Sequence, residues 1–277
     1  MTDLIVFAGP NGSGKSSARD AVANPAEVVI DPDRIARQLN PANPRSVDAQ
    51  AGRAAVRLFE ESLAQRKSIC METTLTGHSA VLRMQRAKDA GYAVSLVYVA
   101  LHDPELNVRR VAARVRQGGH AIDPGTIRKR VGASLANLAR ALAIADQAIV
   151  LDNSGQAHRR ILETAAGQVT YLSEPLPRWL HGQLPAILAA LAARPELGVE
   201  AVQPAPQRRA GFASGILAVL RPPGPEAGGT IAPSSVALAE RLAAFERVAA
   251  EQAKKPGAAE PEPEPEARPK PPSGPES

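Results

Sequence analysis

The stretch Gly9-Pro10-Asn11-Gly12-Ser13-Gly14-Lys15-Ser16 is a glycine, four residues, then Gly-Lys-Ser. Glycines at this spacing let successive backbone N–H groups turn inward as an anion nest, and a helix that begins at the lysine adds partial positive charge. A lysine there bridges the β- and γ-phosphates of a nucleotide, and the Ser16 hydroxyl takes a Mg²⁺ coordination position. The motif follows an apolar strand pattern, Leu4–Ala8, and precedes a helical one, Lys15–Ala23, which is the context it requires. Gly9 through Ser16, with Ser17 behind them, are therefore the candidate nucleotide-binding residues. Lys15 is also a candidate catalytic group, and Ser16 is the candidate metal ligand.

A phosphate cradle alone does not separate kinases from GTPases, ATPases or nucleic-acid motors. The chain has no Asn-Lys-x-Asp guanine motif, no helicase signature and no Asp-x-x-Gly switch after its third strand. A kinase of a small metabolite becomes the leading class. Val28-Val29-Ile30-Asp31-Pro32-Asp33 brings two acids to the carboxyl end of a second strand, the edge where open parallel sheets bind ligands. A carboxylate there can accept the proton of an attacking hydroxyl. Asp31, before a proline, is equally suited to capping the next helix, so Asp33 is the preferred base. Ile69-Cys70-Met71-Glu72-Thr73-Thr74 brings a third acid to the same edge. Glu72 is placed to hold the acceptor, to order a Mg²⁺-bound water, or to act as base instead of Asp33. Thr74 suits an acceptor contact and helix capping alike.

Arginines crowd a later segment: Arg109, Arg110, Arg114 and Arg116, then Gly118-Gly119, then Arg128 and Arg130. Guanidinium forks on both sides of a glycine hinge suit a lid that neutralises charge on transferred oxygens and excludes water. A solvated basic helix face accounts for most of them.

The elements that must position these groups alternate strand and helix up to about residue 173. Strands are expected at Leu4–Ala8, Val28–Ile30, Ser68–Thr73, Ala93–Leu101, Ala148–Leu151 and Val169–Leu172. Helices are expected at Lys15–Ala23, Pro32–Leu39, Val47–Arg66, Ser79–Ala90, Pro104–Arg116 and Gly125–Ala145, with a closing helix at Trp179–Ala193. The fold class is α/β, a three-layer P-loop NTPase with a mostly parallel sheet.

At these points the chain resembles the zeta toxin family of P-loop kinases. The resemblance rests on Gly9–Ser16, Asp31-x-Asp33, Glu72-Thr73-Thr74, Arg114-x-Arg116-Gln117-Gly118-Gly119-His120 and Arg128-Lys129-Arg130, continued by Ile122–Leu138 and Asp152-Asn153-Ser154. It covers roughly residues 1–173. It implies an adenylate/shikimate-kinase-like core and an ATP- and Mg²⁺-dependent kinase. In that scheme Lys15 sits on phosphate, Asp33 is the base, Glu72 and Thr74 lie near the acceptor, and Arg114 and Arg130 close over the γ-phosphate. The family's best-known acceptor is UDP-N-acetylglucosamine, phosphorylated at the sugar 3′-hydroxyl, and the resemblance adds an antitoxin or another protein as a candidate partner. Glu60 is the match for a second acceptor-side acid, on a strand-two-to-three insertion shorter than in the plasmid toxins. Asp152-Asn153-Ser154 would border the adenine pocket.

Composition limits the rest. Lys plus Arg total 33 against 28 acids, a net +5 that favours anionic partners. With four Phe, three Tyr and one Trp, the aromatic platforms of a single-strand channel are missing, so nucleic acid is not an expected partner. Cys70 is the one cysteine, and the five histidines lack metal-ligand spacing, so neither a disulfide nor a zinc site is expected. The chain opens without a signal-peptide pattern and has no bilayer-length apolar run, so a cytoplasmic protein without membrane contact is expected.

Four segments follow: a kinase domain over 1–195, a flexible linker over 196–233, an amphipathic helix over 234–255 and a disordered Pro/Glu-rich tail over 256–277. The tail holds eight prolines, and the helix puts Leu238, Leu242 and Phe245 on one face, which asks for a protein partner. The competing functions are a kinase of another small metabolite or of a nucleic-acid end, and a non-catalytic ATP-dependent partner-binding protein.

Overall fold

The computed structural model describes residues 2–21, 26–117, 119, 121–193 and 229–231. By backbone contacts the chain divides into Met1–Val236 and Ala237–Ser277, and every described residue belongs to the first unit. The helix expected at 234–255, the tail at 256–277, His120 and most of the expected linker lie outside the described residues.

Strand β1 (Asp3–Ala8) is buried along its whole length, because it lies at the middle of the sheet with both faces covered. It is followed by α1 (Lys15–Asp20), β2 (Val28–Ile30), α2 (Pro32–Leu39), a short 3₁₀ turn at Pro44–Val47 and α3 (Asp48–Ala64). Then come β3 (Ile69–Thr73), α4 (His78–Asp89), β4 (Ala93–Ala100), α5 (Pro104–Arg116), α6 (Pro124–Ile144) and β5 (Gln147–Asp152). The first five strands are parallel and run in the order β2-β3-β1-β4-β5. The chain therefore leaves β1 at a switch point, where its two neighbours are reached by crossovers in opposite directions and a crevice opens at the carboxyl edge. Register aligns Phe7 with Glu72 and Ala8 with Thr73, so the third acid sits level with the start of the glycine loop. Ile5, Phe7, Ala18, Cys70, Val97, Val99, Ile149 and Leu151 form one fully buried apolar cluster. Burial pushes the Cys70 thiol up to about 12, so it is an inert core group.

Three Asp-Pro pairs start helices. Asp31, Asp103 and Asp123 are N-caps whose carboxylates accept from Asp33 and Arg34 N–H, from Glu105 N–H and from Thr126 N–H, with proline at the next position. Proline has no N–H to satisfy there and its φ suits a first turn, so the pair marks a helix start from local chemistry alone.

Beyond β5 the structure departs from the expected pattern. Strand β6 (Arg159–Ala165), absent from the sequence reading, runs antiparallel to β5 and to β7 (Gln168–Ser173). Ala166 and Gly167, with φ of 49° and 80°, make its two-residue turn, and an alanine there is a poor signal for a hairpin. Residues Gly229–Ile231, inside the segment read as linker, form the edge strand β8 against β7. The closing helix is two pieces, α7 (Arg178–His181) and α8 (Leu184–Ala192). Gly182 ends the first, and Pro185 stands in the first turn of the second, where a proline is tolerated and a continuous helix is not. Helix α8 packs on α6 and buries Leu184, Ile187 and Leu191. No described helix is long and apolar enough to cross a membrane.

Two buried polar side chains of α6 fasten it to the sheet. The Tyr98 and Ser134 hydroxyls share a hydrogen bond at 3.0 Å. Asn137 Nδ2 donates to the Leu75 carbonyl at 3.0 Å, holding a residue at φ 55° just beyond Glu72 and Thr74. Asn137→Ala leaves that carbonyl unpaired and is expected to cost about 1–3 kcal/mol. Urea unfolding at 25 °C measures it, and an unmoved midpoint would contradict the anchoring role.

Candidate active site

The glycine loop is shaped by close backbone approach. At Gly9, φ is 138° and a Cβ would stand 2.1 Å from the Val99 carbonyl oxygen of β4. At Gly14, φ is 100° and a Cβ would meet Asn153 Nδ2 at 2.2 Å. Gly9→Ala therefore faces a backbone clash as well as strain of about 1–3 kcal/mol in a conformation that side chains avoid. It is expected to lower the melting temperature and abolish binding of an ATP analogue together. A stable variant that still binds would show that the loop tolerates a different path.

Two asparagines brace the loop from outside. Asn107 Nδ2, fully buried on α5, donates to the Asn11 carbonyl at 2.7 Å. Asn153 Nδ2, after β5, donates to the Ser13 carbonyl at 2.8 Å. Asn153 thus holds the loop, and Asn107 was not visible to sequence reasoning, since a polar residue on a helix carries no mark of its distant partner. The Ser13 hydroxyl is buried without a hydrogen-bond partner.

Lys15 is buried, and its Nζ donates to the Pro10 carbonyl at 3.1 Å. Burial pulls its pKa down, while Glu72, Asp33 and Asp31 oppose that pull and Arg114 adds to it. Behind it, Arg19 bridges two acids through one nitrogen, reaching Asp31 at 3.0 Å and Glu72 at 2.9 Å. Glu72 also accepts from the Ser16 hydroxyl at 2.9 Å. Burial pushes the Glu72 carboxyl up, and the charge of Lys15 offsets part of the rise. Arg19 was missed from sequence, although its position one helical turn after Lys15 on α1 placed it on the same face.

An open cleft of about 280 Å³ lies at this edge. The loop and α1 supply Asn11 and Lys15, the β2 edge supplies Asp31 and Asp33, and the β3 edge supplies Glu72, Thr73 and Thr74. Arg114 of α5 and Arg130 of α6 also line it, as do Arg45, Asp48 and Arg83. Arg130 donates to the Asn11 side chain at 2.9 Å. Other arginines of the basic segment are engaged elsewhere: Arg128 with Glu105, Arg110 with the Asn153 carbonyl and Arg109 with Asp103.

The two acids of the β2 edge have separate positions. Asp31 spends its carboxylate on the α2 cap and on Arg19. Asp33 is exposed to the cleft, and its carboxylate accepts no hydrogen bond from the described residues. The Thr74 hydroxyl bonds to that of Thr76 at 3.0 Å, and α4 starts at Gly77 with no side-chain cap, so Thr74 does not cap the helix. Glu60 is not a lining residue; both its oxygens are held by Arg86, one of them at 2.6 Å.

Residues 4–140 match the family model described as AAA domain. A protein of Haemophilus influenzae (strain ATCC 51907 / DSM 11121 / KW20 / Rd), described as an uncharacterized protein, is 43% identical over 126 residues. The match takes in 46% of this chain and 90% of that protein. This chain belongs to its family. Among solved structures, the complex AvrRxo1-ORF1:-ORF2 with ATP aligns with a TM-score of 0.54 at 12% identity, covering 80% of this chain and 81% of that one. The same complex with sulphate ions aligns at a TM-score of 0.50 and 14% identity, over 70% and 76%. At these identities the likeness concerns the fold. The core of this chain is a P-loop NTPase-like domain with a mostly parallel sheet.

Proposed function

We propose that this protein is an ATP-dependent phosphotransferase that moves the γ-phosphate onto a hydroxyl of a small acceptor. The observation that carries the proposal is the single cleft holding Lys15 of the phosphate loop, the unengaged carboxylate of Asp33, and two arginines, Arg114 and Arg130. The solved complex with ATP noted above shares the fold, which supports the choice of nucleotide.

In this reading the loop N–H groups and Lys15 hold the phosphate chain, and Asn107 and Asn153 keep the loop in shape. Asp33 accepts the acceptor's hydroxyl proton as its oxygen bonds to the γ-phosphorus and the bond to the bridging oxygen breaks, releasing ADP. Arg114 and Arg130 neutralise charge on the transferred oxygens. Glu72 and Thr74 orient the acceptor. The residues fit Mg²⁺: the Ser16 hydroxyl, which donates to the Glu72 carboxylate beside the loop, would be the protein ligand. That matches an ion held by one or two side chains, phosphates and water, and it would supply charge neutralisation of the phosphate oxygens. A second pocket, where Trp179 Nε1 donates to Asp152 at 2.9 Å beside His102 and Ser154, is assigned to the nucleobase. We take the catalytic unit to end after β8 rather than at residue 195, because β8 covers an otherwise open edge of the sheet.

The finer reading, a zeta-toxin-like kinase of UDP-N-acetylglucosamine with an antitoxin partner, rests on the sequence resemblance. The full chain, incubated with labelled ATP, Mg²⁺ and an acceptor panel that begins with UDP-N-acetylglucosamine, tests both levels. Label on an acceptor with an equal amount of ADP is expected. ATP binding with no acceptor-dependent ADP release would favour a non-catalytic, nucleotide-dependent partner-binding protein.

A further inference from the structure

We infer that Arg83 is the receptor for an anionic group, a phosphate or a carboxylate, carried by the acceptor at a place other than the hydroxyl that is phosphorylated. This inference rests on the phosphotransferase reading and names the substrate class that fits the same cleft.

Among the cleft's cations, Lys15 belongs to the loop, Arg130 is hydrogen-bonded to it through Asn11, and Arg114 is the group proposed above to meet the transferred phosphate. Arg45 has a carboxylate beside it, Asp48, at 3.7 Å. Arg83 comes from α4, the helix that follows the Glu72–Thr74 strand end, so it stands on the acceptor side. Its Nε is buried without a hydrogen-bond partner, and the guanidinium lies 6.0 Å from the centroid of the buried Phe59 ring. No described carboxylate is within ion-pair distance of it. Glu60 of α3, whose charge it feels, has both oxygens committed to Arg86, which like Arg83 belongs to α4. Burial pulls the Arg83 pKa down, and the charge of Glu60 offsets part of the fall.

A partly buried cation is costly unless something pairs with it. Here the open side of the pair is the cleft itself. A guanidinium presents a planar fork that fits the two oxygens of a phosphate or carboxylate, which a lysine cannot match. The surplus cation therefore reads as half of an ion pair whose other half arrives with the acceptor. Neutral sugars and alcohols would leave it unpaired and should be poor acceptors.

The test uses the full chain with its phosphate loop filled by a non-hydrolysable ATP analogue and Mg²⁺, titrated calorimetrically with pyrophosphate and, separately, with malonate. At least one anion is expected to bind at a single saturable site. Arg83→Gln should weaken that binding about tenfold or more, the size of a lost charge-assisted hydrogen bond, while the analogue's affinity stays within about twofold. Arg83→Lys, which keeps the charge and loses the fork, should fall between the two. Pyrophosphate alone binding assigns a phosphorylated acceptor, and malonate alone assigns a carboxylate. Binding of neither anion, or equal binding by wild type and Arg83→Gln, overturns the inference. If the glutamine variant does not fold, Arg83→Lys decides, because wild-type affinity in that variant would also overturn it. Failure of the analogue to bind, seen before any anion is added, would instead remove the phosphotransferase reading and this inference with it.

Discussion

Lys15→Ala is expected to remove ATP-dependent transfer, lowering the rate by at least the roughly 10²–10³-fold that follows loss of one preorganised charge. Three carboxylates, Glu72, Asp33 and Asp31, oppose the pull of burial on the Lys15 ammonium in the present arrangement. Without the ammonium their field would act unopposed on an incoming triphosphate, so affinity for an ATP analogue should fall as well. The fold should persist. Among the described residues Lys15 makes one hydrogen bond, to the Pro10 carbonyl, and its burial disfavours the charged form, so its removal relieves a cost in the ligand-free protein. Calorimetry with an ATP analogue, transfer assays and thermal unfolding on one preparation separate these effects. Unchanged transfer in a cleanly folded variant would sink the loop assignment.

Asp33→Asn is expected to lower kcat by about 10²–10⁴-fold, as loss of a general base does, and to leave ATP-analogue affinity nearly unchanged. Asparagine keeps the size of the side chain and cannot take the proton. Helix α2 should not suffer, because its cap is Asp31 and Asp33 contributes to that cap only its backbone N–H. Glu72 is the competitor for this role, yet its oxygens accept from Ser16 and Arg19, which makes it a positioning group in the ground state. Glu72→Gln should therefore raise the acceptor's KM more than it lowers kcat. If Glu72→Gln shows the pure kcat loss and Asp33→Asn does not, the two roles are exchanged.

The amino-acid order was sufficient wherever the controlling interaction is local. The phosphate loop is one such place, because positive φ at Gly9 and Gly14 and the following helix lie within a few residues. The helix starts at Asp31-Pro32, Asp103-Pro104 and Asp123-Pro124 are others, since cap and proline act on the turn that follows them. The parallel strands also read clearly, because burial on both faces demands unbroken apolar runs such as Leu4–Ala8 and Leu96–Leu101.

Tertiary structure decided what depends on partners far along the chain. Arg160, Glu163 and Thr164 interrupt the apolar signal of β6, which is a strand because β5 and β7 flank it, and β8 exists through pairing with β7. The same holds within the site. Arg114 and Arg130 reach the cleft while Arg109 and Arg128 pair with acids outside it, a choice set by how α5 and α6 pack rather than by residue type. Arg19 finds Asp31 and Glu72, Asn107 finds the loop, and Glu60 is taken by Arg86, which leaves Arg83 to the cleft. A side chain's charge and reach are properties of the sequence, but whether that charge is already neutralised is a property of its neighbours in space.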